Sequence, residues 1–341
     1  MTRAVAVRAL WYERGVLHLI DQRRLPQRLV VRRLRHVEEV AEAIRTMAVR
    51  GAPAIGVAAG YGMALAARAK APQREKAAAL LRATRPTAFD LFVGVETVRA
   101  AWERGNDPEA AADRYRAEVV DGCRRIGEAG APLFRRARRI LTHCNAGALA
   151  TVEWGTALAP IRVAHERNPG LFVFVDETRP LLQGARLTAW ELDQEGIDHA
   201  IIADNSAGHF LQTGEIDAVI VGADRIARNG DFANKIGTYE KAVVARENGV
   251  PFYVAAPWTT FDFQRRTGAA IPVEERGEEE VLHFAGERIA PARSSARNPA
   301  FDVTPARYVT GFVTPAGVIR PAGIARLERT ARAQGTVRPE R

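Results

Sequence analysis

The spacing of apolar residues divides the chain into two parts. Over the first two fifths of the chain, apolar residues recur at helical spacing in consecutive segments. Asp107 followed by Pro108 is typical of a helix start, because aspartate caps the first turn and proline fits the first helical position. Ahead of these segments, two apolar runs predict a β-hairpin over residues 5–11 and 16–20. The predicted helical segments are 37–49, 54–69, 73–83, 88–104 and 108–127.

Beyond residue 138 the pattern changes to short apolar runs that alternate with amphipathic segments of helical length. This alternation predicts βαβ units and a parallel sheet covered by helices on both faces. We therefore expect an α/β chain with a Rossmann-like parallel-sheet C-terminal domain and a smaller, mostly helical N-terminal domain that opens with a short β-hairpin. The predicted strands are 140–142, 171–175, 200–202, 218–221, 252–255 and 308–313, and the predicted helical segments are 147–165, 184–195, 206–213 and 234–248.

Chain breakers indicate a domain boundary near residue 130. Gly127, Gly130 and Pro132 interrupt the apolar pattern between its two parts. The last residues are basic and lack an apolar pattern, which is typical of a terminus that need not be ordered. The predicted organisation is an N-terminal domain over 1–130, a Rossmann-like domain over 131–327 and a basic tail over 328–341.

Composition and charge argue against several classes of protein. The chain has 341 residues, 47% of them apolar, which is enough for hydrophobic cores, and its two cysteines cannot form a disulfide framework. The net charge of +9 suggests a nucleic-acid partner, but acids are mixed with the bases and the basic groups lack stacking aromatics. The longest charge-free run, residues 51–67, is too short to span a membrane, and no signal-peptide pattern opens the chain. We expect a cytoplasmic protein that binds neither nucleic acid nor membrane.

Polar side chains follow the predicted strands of the second part. The carboxyl ends of parallel strands form the ligand-binding edge of an open α/β sheet, so these side chains should meet there. The sequence has no dinucleotide fingerprint, P-loop, serine-hydrolase elbow or zinc-spaced histidine pair. The remaining thiol, carboxyl, amide and arginine groups suit proton transfer on an anionic substrate without a cofactor or metal. The segments are His143-Cys144-Asn145-Ala146-Gly147, Asp176-Glu177-Thr178-Arg179, Asp204-Asn205-Ser206, Gly222-Ala223-Asp224-Arg225 and Ala256-Pro257-Trp258-Thr259-Thr260.

Two of these residues have interpretations that the residue pattern leaves open. Cys144 precedes a helix predicted to begin near Gly147, where the helix dipole and nearby arginines would lower the pKa of the thiol and make it a base. A lone cysteine is also common as a small buried apolar residue. Asp224 follows an apolar strand whose burial would raise the pKa of its carboxyl group and keep it protonated as an acid. It would equally serve as a helix cap or as a partner of Arg225.

Seven segments, in order along the chain, resemble the methylthioribose-1-phosphate isomerase family. The resemblance extends from about residue 8 to residue 325. The segments are Arg50-Gly51-Ala52-Pro53-Ala54-Ile55-Gly56, Arg85-Pro86-Thr87-Ala88, Thr142-His143-Cys144-Asn145-Ala146-Gly147, Asp176-Glu177-Thr178-Arg179-Pro180-Leu181-Leu182-Gln183-Gly184-Ala185-Arg186-Leu187-Thr188, Asp204-Asn205-Ser206-Ala207, Gly222-Ala223-Asp224-Arg225 and Asn234-Lys235-Ile236-Gly237-Thr238-Tyr239.

This resemblance implies an aldose-ketose isomerase that converts 5-methylthio-D-ribose 1-phosphate to 5-methylthio-D-ribulose 1-phosphate in methionine salvage, as a homodimer and without cofactor or metal. The phosphate ester on C1 prevents opening to a free aldehyde, so the ring oxygen must be protonated before a hydrogen moves from C2 to C1. The family's catalytic residues match Asp224, as the acid for ring opening, and Cys144. The thiol would take the C2 proton, stabilise an enediolate-like species or shape a hydride shift. The substrate-binding residues match Arg50, Gly51, Ala52, Arg85, Gln183, Asn234 and Lys235.

The resemblance leaves neighbouring functions open. Related isomerases act on ribose 1,5-bisphosphate or 5-deoxyribose 1-phosphate and differ in the group that they accept at C5. Regulatory subunits of the eukaryotic translation-initiation exchange factor share the fold without the paired cysteine and aspartate. Two residues depart from the family pattern, Asp90 where asparagine is more common and Pro315 where glutamate is usual. Each departure could change the pocket or a subunit contact.

Overall fold

A three-stranded antiparallel sheet and five helices form the first part of the chain. The computed structural model describes residues 7–68, 71–85, 88–324 and 326–328. The elements are β1 (Leu10–Glu13), β2 (Val16–Ile20), β3 (Val31–Leu34), α1 (Val37–Arg45), α2 (Ala52–Leu65), α3 (Ala71–Arg82), α4 (Phe89–Glu103) and α5 (Pro108–Gly130). The predicted hairpin and all five predicted helices are confirmed in the described range. Strand β3 was not predicted, because its two central arginines interrupt the apolar alternation.

Some predicted features lie outside the described residues. They are the start of the hairpin at residues 5–6, the Pro86-Thr87 pair of one family-like segment, and residues 329–341 of the predicted tail. In the part of the chain that the structure does describe, no helix combines the length and apolar character needed to cross a bilayer.

Helix α5 begins as its sequence predicts, with Asp107 as the N-cap. The Asp107 carboxylate accepts a hydrogen bond of 2.9 Å from the backbone N–H of Glu109, and Pro108 occupies the first helical position. The helix ends at Gly130, and a 3₁₀ turn over Ala131–Phe134 leads into the second part. The domain boundary near residue 130 stays a prediction.

Helices α2 and α4 contact each other through their backbones at two glycines. A Cβ atom on Gly94 would lie 2.0 Å from the carbonyl oxygen of Gly56, and one on Gly56 would lie 2.6 Å from the carbonyl oxygen of Asp90. No side chain fits between these backbones, so glycine is required at both positions. The contact buries α2 on nearly every side, which explains why the sequence of this helix is almost entirely apolar.

The second part of the chain contains thirteen further strands and six further helices within the described residues. They are β4 (Arg139–Thr142), α6 (Ala148–Thr151), α7 (Leu158–His165), β5 (Phe172–Asp176), α8 (Ala189–Glu195), β6 (His199–Ile202), α9 (Ala207–Gln212), β7 (Ala218–Val221), β8 (Arg225–Ala227), β9 (Phe232–Lys235), α10 (Thr238–Glu247), β10 (Phe252–Ala255), β11 (Phe261–Asp262), α11 (Glu279–Leu282), β12 (His283–Phe284), β13 (Glu287–Arg288), β14 (Phe301–Thr304), β15 (Gly311–Thr314) and β16 (Gly317–Ile319).

Seven of these strands form one sheet in the order β16-β15-β10-β7-β4-β5-β6. All neighbouring pairs are parallel except β15 and β16. Strand β7 is buried along its whole length, as expected for a parallel strand with helices on both faces. The order reverses between β4 and β7, and this switch point is where an open α/β sheet binds its ligand. The predicted Rossmann-like α/β fold is confirmed.

Three details of the second part differ from the sequence-based expectations. The helical segment predicted over 147–165 is two helices, because Val152 and Trp154 have positive φ angles of 86° and 66° between them. The segment predicted over 234–248 begins as strand β9, and helix α10 starts only after Gly237. A second sheet, ordered β11-β8-β9-β14, was not predicted, because its strands are only two to four residues long.

The glycine contact between α2 and α4 yields a stability prediction. Gly94→Ala should lower the free energy of unfolding by about 3 kcal/mol or more, because the added methyl group meets backbone that cannot move aside. Gly60→Ala is the matched control on the same contact, since its Cβ would lie 3.6 Å from the nearest heavy atom, the carbonyl oxygen of Gly94. Urea unfolding of both variants checks this. Equal free energies of unfolding for the two variants would contradict this, because α2 and α4 would then accommodate the methyl group on Gly94 without loss of stability.

Candidate active site

The residues that follow β4 and β7 open onto one cavity of about 760 Å³. These two strands pair in parallel, with Leu141 opposite Val219, so their carboxyl ends lie side by side at the switch point. The structure places every residue that the sequence analysis singled out for catalysis or substrate binding along this one cavity. They are Arg50, Gly51, Ala52, Arg85, Cys144, Gln183, Asp224, Asn234 and Lys235.

Two threonines hold the backbone of Cys144 in a left-handed conformation. Its φ angle is 63°, which is uncommon for a residue with a side chain. The N–H of Cys144 donates to Oγ1 of Thr178 at 2.9 Å, and Oγ1 of Thr188 donates to its carbonyl oxygen at 2.7 Å. The peptide groups on both sides of the thiol are therefore fixed.

The expectation of a lowered thiol pKa is wrong for this structure. Burial raises the pKa of Cys144, and the opposing effects of Arg50 and Lys235 are smaller. The predicted helix dipole also offers little help, because helix α6 has only four residues. The N–H groups of Ala148 and Leu149 at its start donate to the buried carboxylate of Glu191. The surroundings of Cys144 therefore favour the thiol over the thiolate.

Asp224 lies immediately before the short strand β8 and faces the cavity. Its backbone N–H donates to the carbonyl oxygen of Ala233 at 2.9 Å, which joins it to β9. Asp224 is exposed to the cavity, yet the surrounding protein raises the pKa of its carboxyl group against the smaller opposing effects of Lys235 and Arg50. The direction matches the sequence-based expectation. A helix-capping role does not, since Asp224 precedes a strand.

The segment from Arg50 to Ala52 joins the first part of the chain to the cavity. The Arg50 guanidinium donates from Nη1 to Oδ1 of Asn145 and from Nη2 to the Asn145 carbonyl oxygen at 2.9 Å. Gly51 has a φ angle of 91°, and a Cβ there would lie 2.5 Å from Cα of Ala150, so only glycine fits. Helix α2 begins at Ala52, and the free N–H groups of its first turn suit an anion.

The remaining predicted substrate-binding residues combine a cation with amides. Lys235 is 9% exposed, donates from Nζ to the carbonyl oxygen of Ala300 at 2.8 Å and lies over the ring of Phe301. Asn234 donates from Nδ2 to Oγ1 of Thr238 at 3.0 Å. The Oε1 atom of Gln183 is buried and finds no donor among the described residues. These side chains offer hydrogen bonds to sugar hydroxyls and charge to a phosphate.

The cations that line the cavity fall into two groups. Four arginines form ion pairs with carboxylates, while four cations form no ion pair with any residue that the structure describes. Burial lowers the pKa of Arg85, Arg186 and Lys235 in the second group, so charge there is costly. The paired arginines are Arg23, Arg225, Arg265 and Arg276. The unpaired cations are Arg50, Arg85, Arg186 and Lys235.

Arg186 differs from the other three unpaired cations because backbone carbonyls surround it. Its guanidinium donates to the carbonyl oxygens of Gln22 at 3.2 Å, Arg23 at 3.0 Å and Leu25 at 3.2 Å. It fastens the segment after β2 to the C-terminal part. Arg50, Arg85 and Lys235 remain as the cations whose charge an anion in the cavity would balance.

The sequence analysis missed Gln22, and it noted Asp90 and Pro315 without placing them in the structure. Gln22 lines the cavity and donates from Nε2 to the carbonyl oxygen of Leu149 at 2.7 Å, but no motif in the residues after β2 indicates this. Asp90, noted as a departure from the family pattern, also lines the cavity, and burial raises the pKa of its carboxyl group to about 6. Pro315 lies in the turn between β15 and β16, and the cavity lining does not include it.

One cluster in the described residues has the side chains of a metal site, His143, Asp176 and Asp204. Most of its ligand atoms are engaged, although Oδ1 of Asp176 finds no hydrogen-bond partner among the described residues. His143 contacts Asp176 through Nδ1 at 2.8 Å, and both oxygens of Asp204 accept backbone N–H groups at 2.7 Å. The ammonium group of Lys241 lies 3.6 Å from Oδ2 of Asp176. A cation next to the carboxylate repels a metal ion, so this cluster does not fit a divalent metal.

Comparison with known proteins places this geometry in a family. A sequence model of the Initiation factor 2 subunit family matches residues 48–321. The methylthioribose-1-phosphate isomerase of Acetivibrio thermocellus is 50% identical over 325 aligned residues, which cover 90% of this chain and 95% of that protein. The isomerase of the same name from Anaeromyxobacter sp. strain K is 53% identical over 319 residues and covers 92% of this chain and 94% of that protein.

Two solved structures are similar over nearly the whole chain. The 5-methylthioribose 1-phosphate isomerase of Pyrococcus horikoshii OT3 superimposes with a TM-score of 0.89 at 44% identity and covers 96% of each chain. A structure from A. fulgidus described as translation initiation factor eIF-2B, subunit delta, has a TM-score of 0.87 at 45% identity and covers 96% of this chain and 99% of that one. The resemblance predicted from the seven segments is confirmed, and the chain belongs to the Initiation factor 2 subunit family.

Proposed function

We propose that this chain is an aldose-ketose isomerase that converts 5-methylthio-D-ribose 1-phosphate to 5-methylthio-D-ribulose 1-phosphate, a step of methionine salvage. One observation carries the proposal: Cys144, Asp224 and three cations without carboxylate partners line the same cavity. The names of relatives that are about half identical and cover about nine tenths of the chain support this reaction.

The three cations bind the phosphate of the substrate. A phosphate ester carries a charge of about −2 at neutral pH. Arg50, Arg85 and Lys235 balance this charge, and no existing ion pair has to break for them to do so. The N–H groups at the start of α2 add donors to the same anion. Gln183 and Asn234 bind the sugar hydroxyls, and the free acceptor Oε1 of Gln183 suits a hydroxyl donor.

Asp224 opens the ring. A raised pKa favours the protonated carboxyl group, which donates its proton to the ring oxygen, so the bond between C1 and that oxygen breaks while C1 stays phosphorylated. The substrate displaces cavity water from Asp224, which raises the pKa further. After the hydrogen has moved, the C2 hydroxyl returns a proton to the Asp224 carboxylate as the ketone forms.

The raised pKa of the Cys144 thiol favours a hydride route for the hydrogen transfer. A thiol must lose its own proton before it can accept one from C2, and burial raises the pKa for that loss. In the hydride route, the C2 hydrogen moves with its electron pair to the electron-poor C1, and no base is needed for that hydrogen. Cys144 then excludes water beside C1 and C2 and shapes the transition state.

Three other functions have less support from these observations and comparisons. Ribose 1,5-bisphosphate would bring a second dianion, whereas the other cavity arginines already have carboxylate or carbonyl partners. A methyl group at C5, as in 5-deoxyribose 1-phosphate, poses no such charge problem, and the relatives' names favour the methylthio sugar. A regulatory subunit of a translation factor would not need an acid and a thiol in one enclosed cavity. Homodimer formation, a cytoplasmic location and the absence of a nucleic-acid partner stay predictions.

Removal of either catalytic group should abolish turnover without unfolding the chain. We expect Cys144→Ala and Asp224→Asn each to lower kcat by about 10²- to 10⁴-fold, the usual contribution of a positioned group. Cys123→Ala is the matched control, because Cys123 is buried in the first part of the chain and does not line the cavity. Steady-state kinetics with 5-methylthioribose 1-phosphate, with circular dichroism of each variant, checks this. Normal turnover by both site variants would reject the assignment.

The phosphate-binding role of the unpaired cations predicts an effect on KM. Arg85→Ala should raise KM about 10- to 100-fold with a smaller change in kcat, because it removes a charge-assisted contact made before and during the reaction. Arg276→Ala tests an arginine that lines the same cavity but pairs with Glu280. Its KM should stay near that of the unaltered protein. A larger effect of Arg276→Ala than of Arg85→Ala would contradict the assignment of the phosphate site.

The hydride route predicts the isotope content of the product. In D₂O, the product should carry no deuterium at C1, because the C2 hydrogen never exchanges with solvent. Mass spectrometry and proton NMR of the product measure this, and a sample of product kept in D₂O without protein corrects for spontaneous exchange beside the ketone. One deuterium at C1 would show proton transfer through a base.

A further inference from the structure

We propose that Glu191 is a positioning residue that holds Arg50 and Gly51 in place for the phosphate of the substrate. This inference deepens the proposed function and rests on it. Glu191 is fully buried and lies behind the cavity, whose lining does not include it. The proposal follows from two chains of contacts that begin at its carboxylate.

The Glu191 carboxylate accepts four hydrogen bonds and makes none as a donor. Its Oε1 accepts from Nδ2 of Asn145 at 2.8 Å and from the N–H of Leu149 at 3.1 Å. Its Oε2 accepts from the N–H of Ala148 at 2.7 Å and from Nη2 of Arg162 at 2.6 Å. All four partners are donors, so both oxygens must be acceptors, as only an ionised carboxylate provides.

The first chain of contacts leads through the side chain of Asn145 to Arg50. One hydrogen of the Asn145 amide points to Glu191, and the other points to Oγ1 of Thr188 at 3.2 Å. With both hydrogens engaged, Oδ1 must face Arg50 and accept from its guanidinium. If the amide turned over, its NH₂ group would face the cation, and Arg50 would lose the partner that directs it.

The second chain of contacts leads through helix α6 to Gly51. Glu191 binds the N–H groups of Ala148 and Leu149, which begin this four-residue helix. The backbone of Ala150 in the same helix lies against Gly51, where not even a methyl group fits. A shift of α6 would therefore displace Gly51 and the start of α2. Both chains end on neighbouring residues of the phosphate-binding segment.

The sequence offers a matched control for Glu191. Glu195 lies one helical turn further along α8 and binds the same buried arginine, Arg162, at its Nε atom. Glu195→Gln and Glu191→Gln both remove a negative charge beside Arg162. Only Glu191→Gln also puts an NH₂ group where a carboxylate oxygen accepts a hydrogen bond from Asn145 or from the N–H groups of α6.

The test is binding of inorganic phosphate, measured by isothermal titration calorimetry, which does not depend on turnover. We expect Glu191→Gln to weaken phosphate binding about tenfold, the effect of one misdirected charge-assisted hydrogen bond. Glu195→Gln should bind within about twofold of the unaltered protein. Asn145→Ala breaks the first chain of contacts without altering the buried ion pairs, so it should also weaken binding. Most of the loss from Glu191→Gln should disappear when Arg50→Ala is already present.

Several results would overturn the inference. One is unchanged phosphate affinity in both Glu191→Gln and Asn145→Ala. Another is a loss of phosphate affinity in Glu195→Gln as large as that in Glu191→Gln. The third is a Glu191→Gln effect on phosphate affinity that is as large in the Arg50→Ala protein as in the unaltered protein. Thermal unfolding of each variant shows which are folded, and if Glu191→Gln does not fold, Asn145→Ala alone and with Arg50→Ala decides. An unaltered protein that binds no phosphate would instead contradict the proposed function. Phosphate binding with no difference between Glu191→Gln and the unaltered protein contradicts only the inference.

Discussion

Three buried or half-buried cations that form no ion pair with any carboxylate in the described part of the chain favour an anion in this cavity. Arg50, Arg85 and Lys235 face the same enclosed space, and burial lowers the pKa of the last two. Buried positive charge is unfavourable until an anion balances it. The unbalanced positive charge of the cavity therefore indicates an anionic ligand. The same cations stabilise negative charge on Asp224 and Cys144, yet the surrounding protein still raises the pKa of both groups. The cavity therefore places cations that favour an anion beside a carboxyl group and a thiol whose protonated forms are favoured.

The topology of the sheet explains why these groups meet. Strands β4 and β7 are neighbours in the sheet although 75 residues lie between the end of β4 and the start of β7, and Cys144 and Asp224 follow them on the ligand-binding edge. The cations come from elsewhere, from the start of α2, from the residues before α4 and from β9. Glu191 accepts buried hydrogen bonds from Asn145 and Ala148, which lie after β4, and Asn145 in turn accepts from Arg50 ahead of α2. The parallel sheet of the second part therefore positions Cys144 and Asp224, while the cations come from both parts of the chain.

Much of this arrangement could be predicted from the sequence. The change from helical to alternating spacing predicts the two parts, and polar residues after buried strands predict the site, because the strand ends of a parallel sheet converge. The pKa of Cys144 could not be predicted, since it depends on the burial of the thiol and on cations from distant parts of the sequence, Arg50 and Lys235. Nor could strand β9, whose residues Asn234 and Lys235 read as a helix start until their pairing with β14 is known. The pKa of Cys144 and the formation of β9 both depend on contacts between residues far apart in sequence, which a local pattern does not show.

We propose that the cations of the cavity balance the charge of one phosphate and not two. A comparison of kcat/KM of the purified protein for 5-methylthioribose 1-phosphate, 5-deoxyribose 1-phosphate and ribose 1,5-bisphosphate tests this proposal. We expect efficient turnover of the two monophosphates, with the methylthio sugar preferred, and at least about tenfold lower kcat/KM for the bisphosphate, whose second dianion finds only engaged cations. Preferred turnover of the bisphosphate, or no turnover of the methylthio sugar, would contradict it.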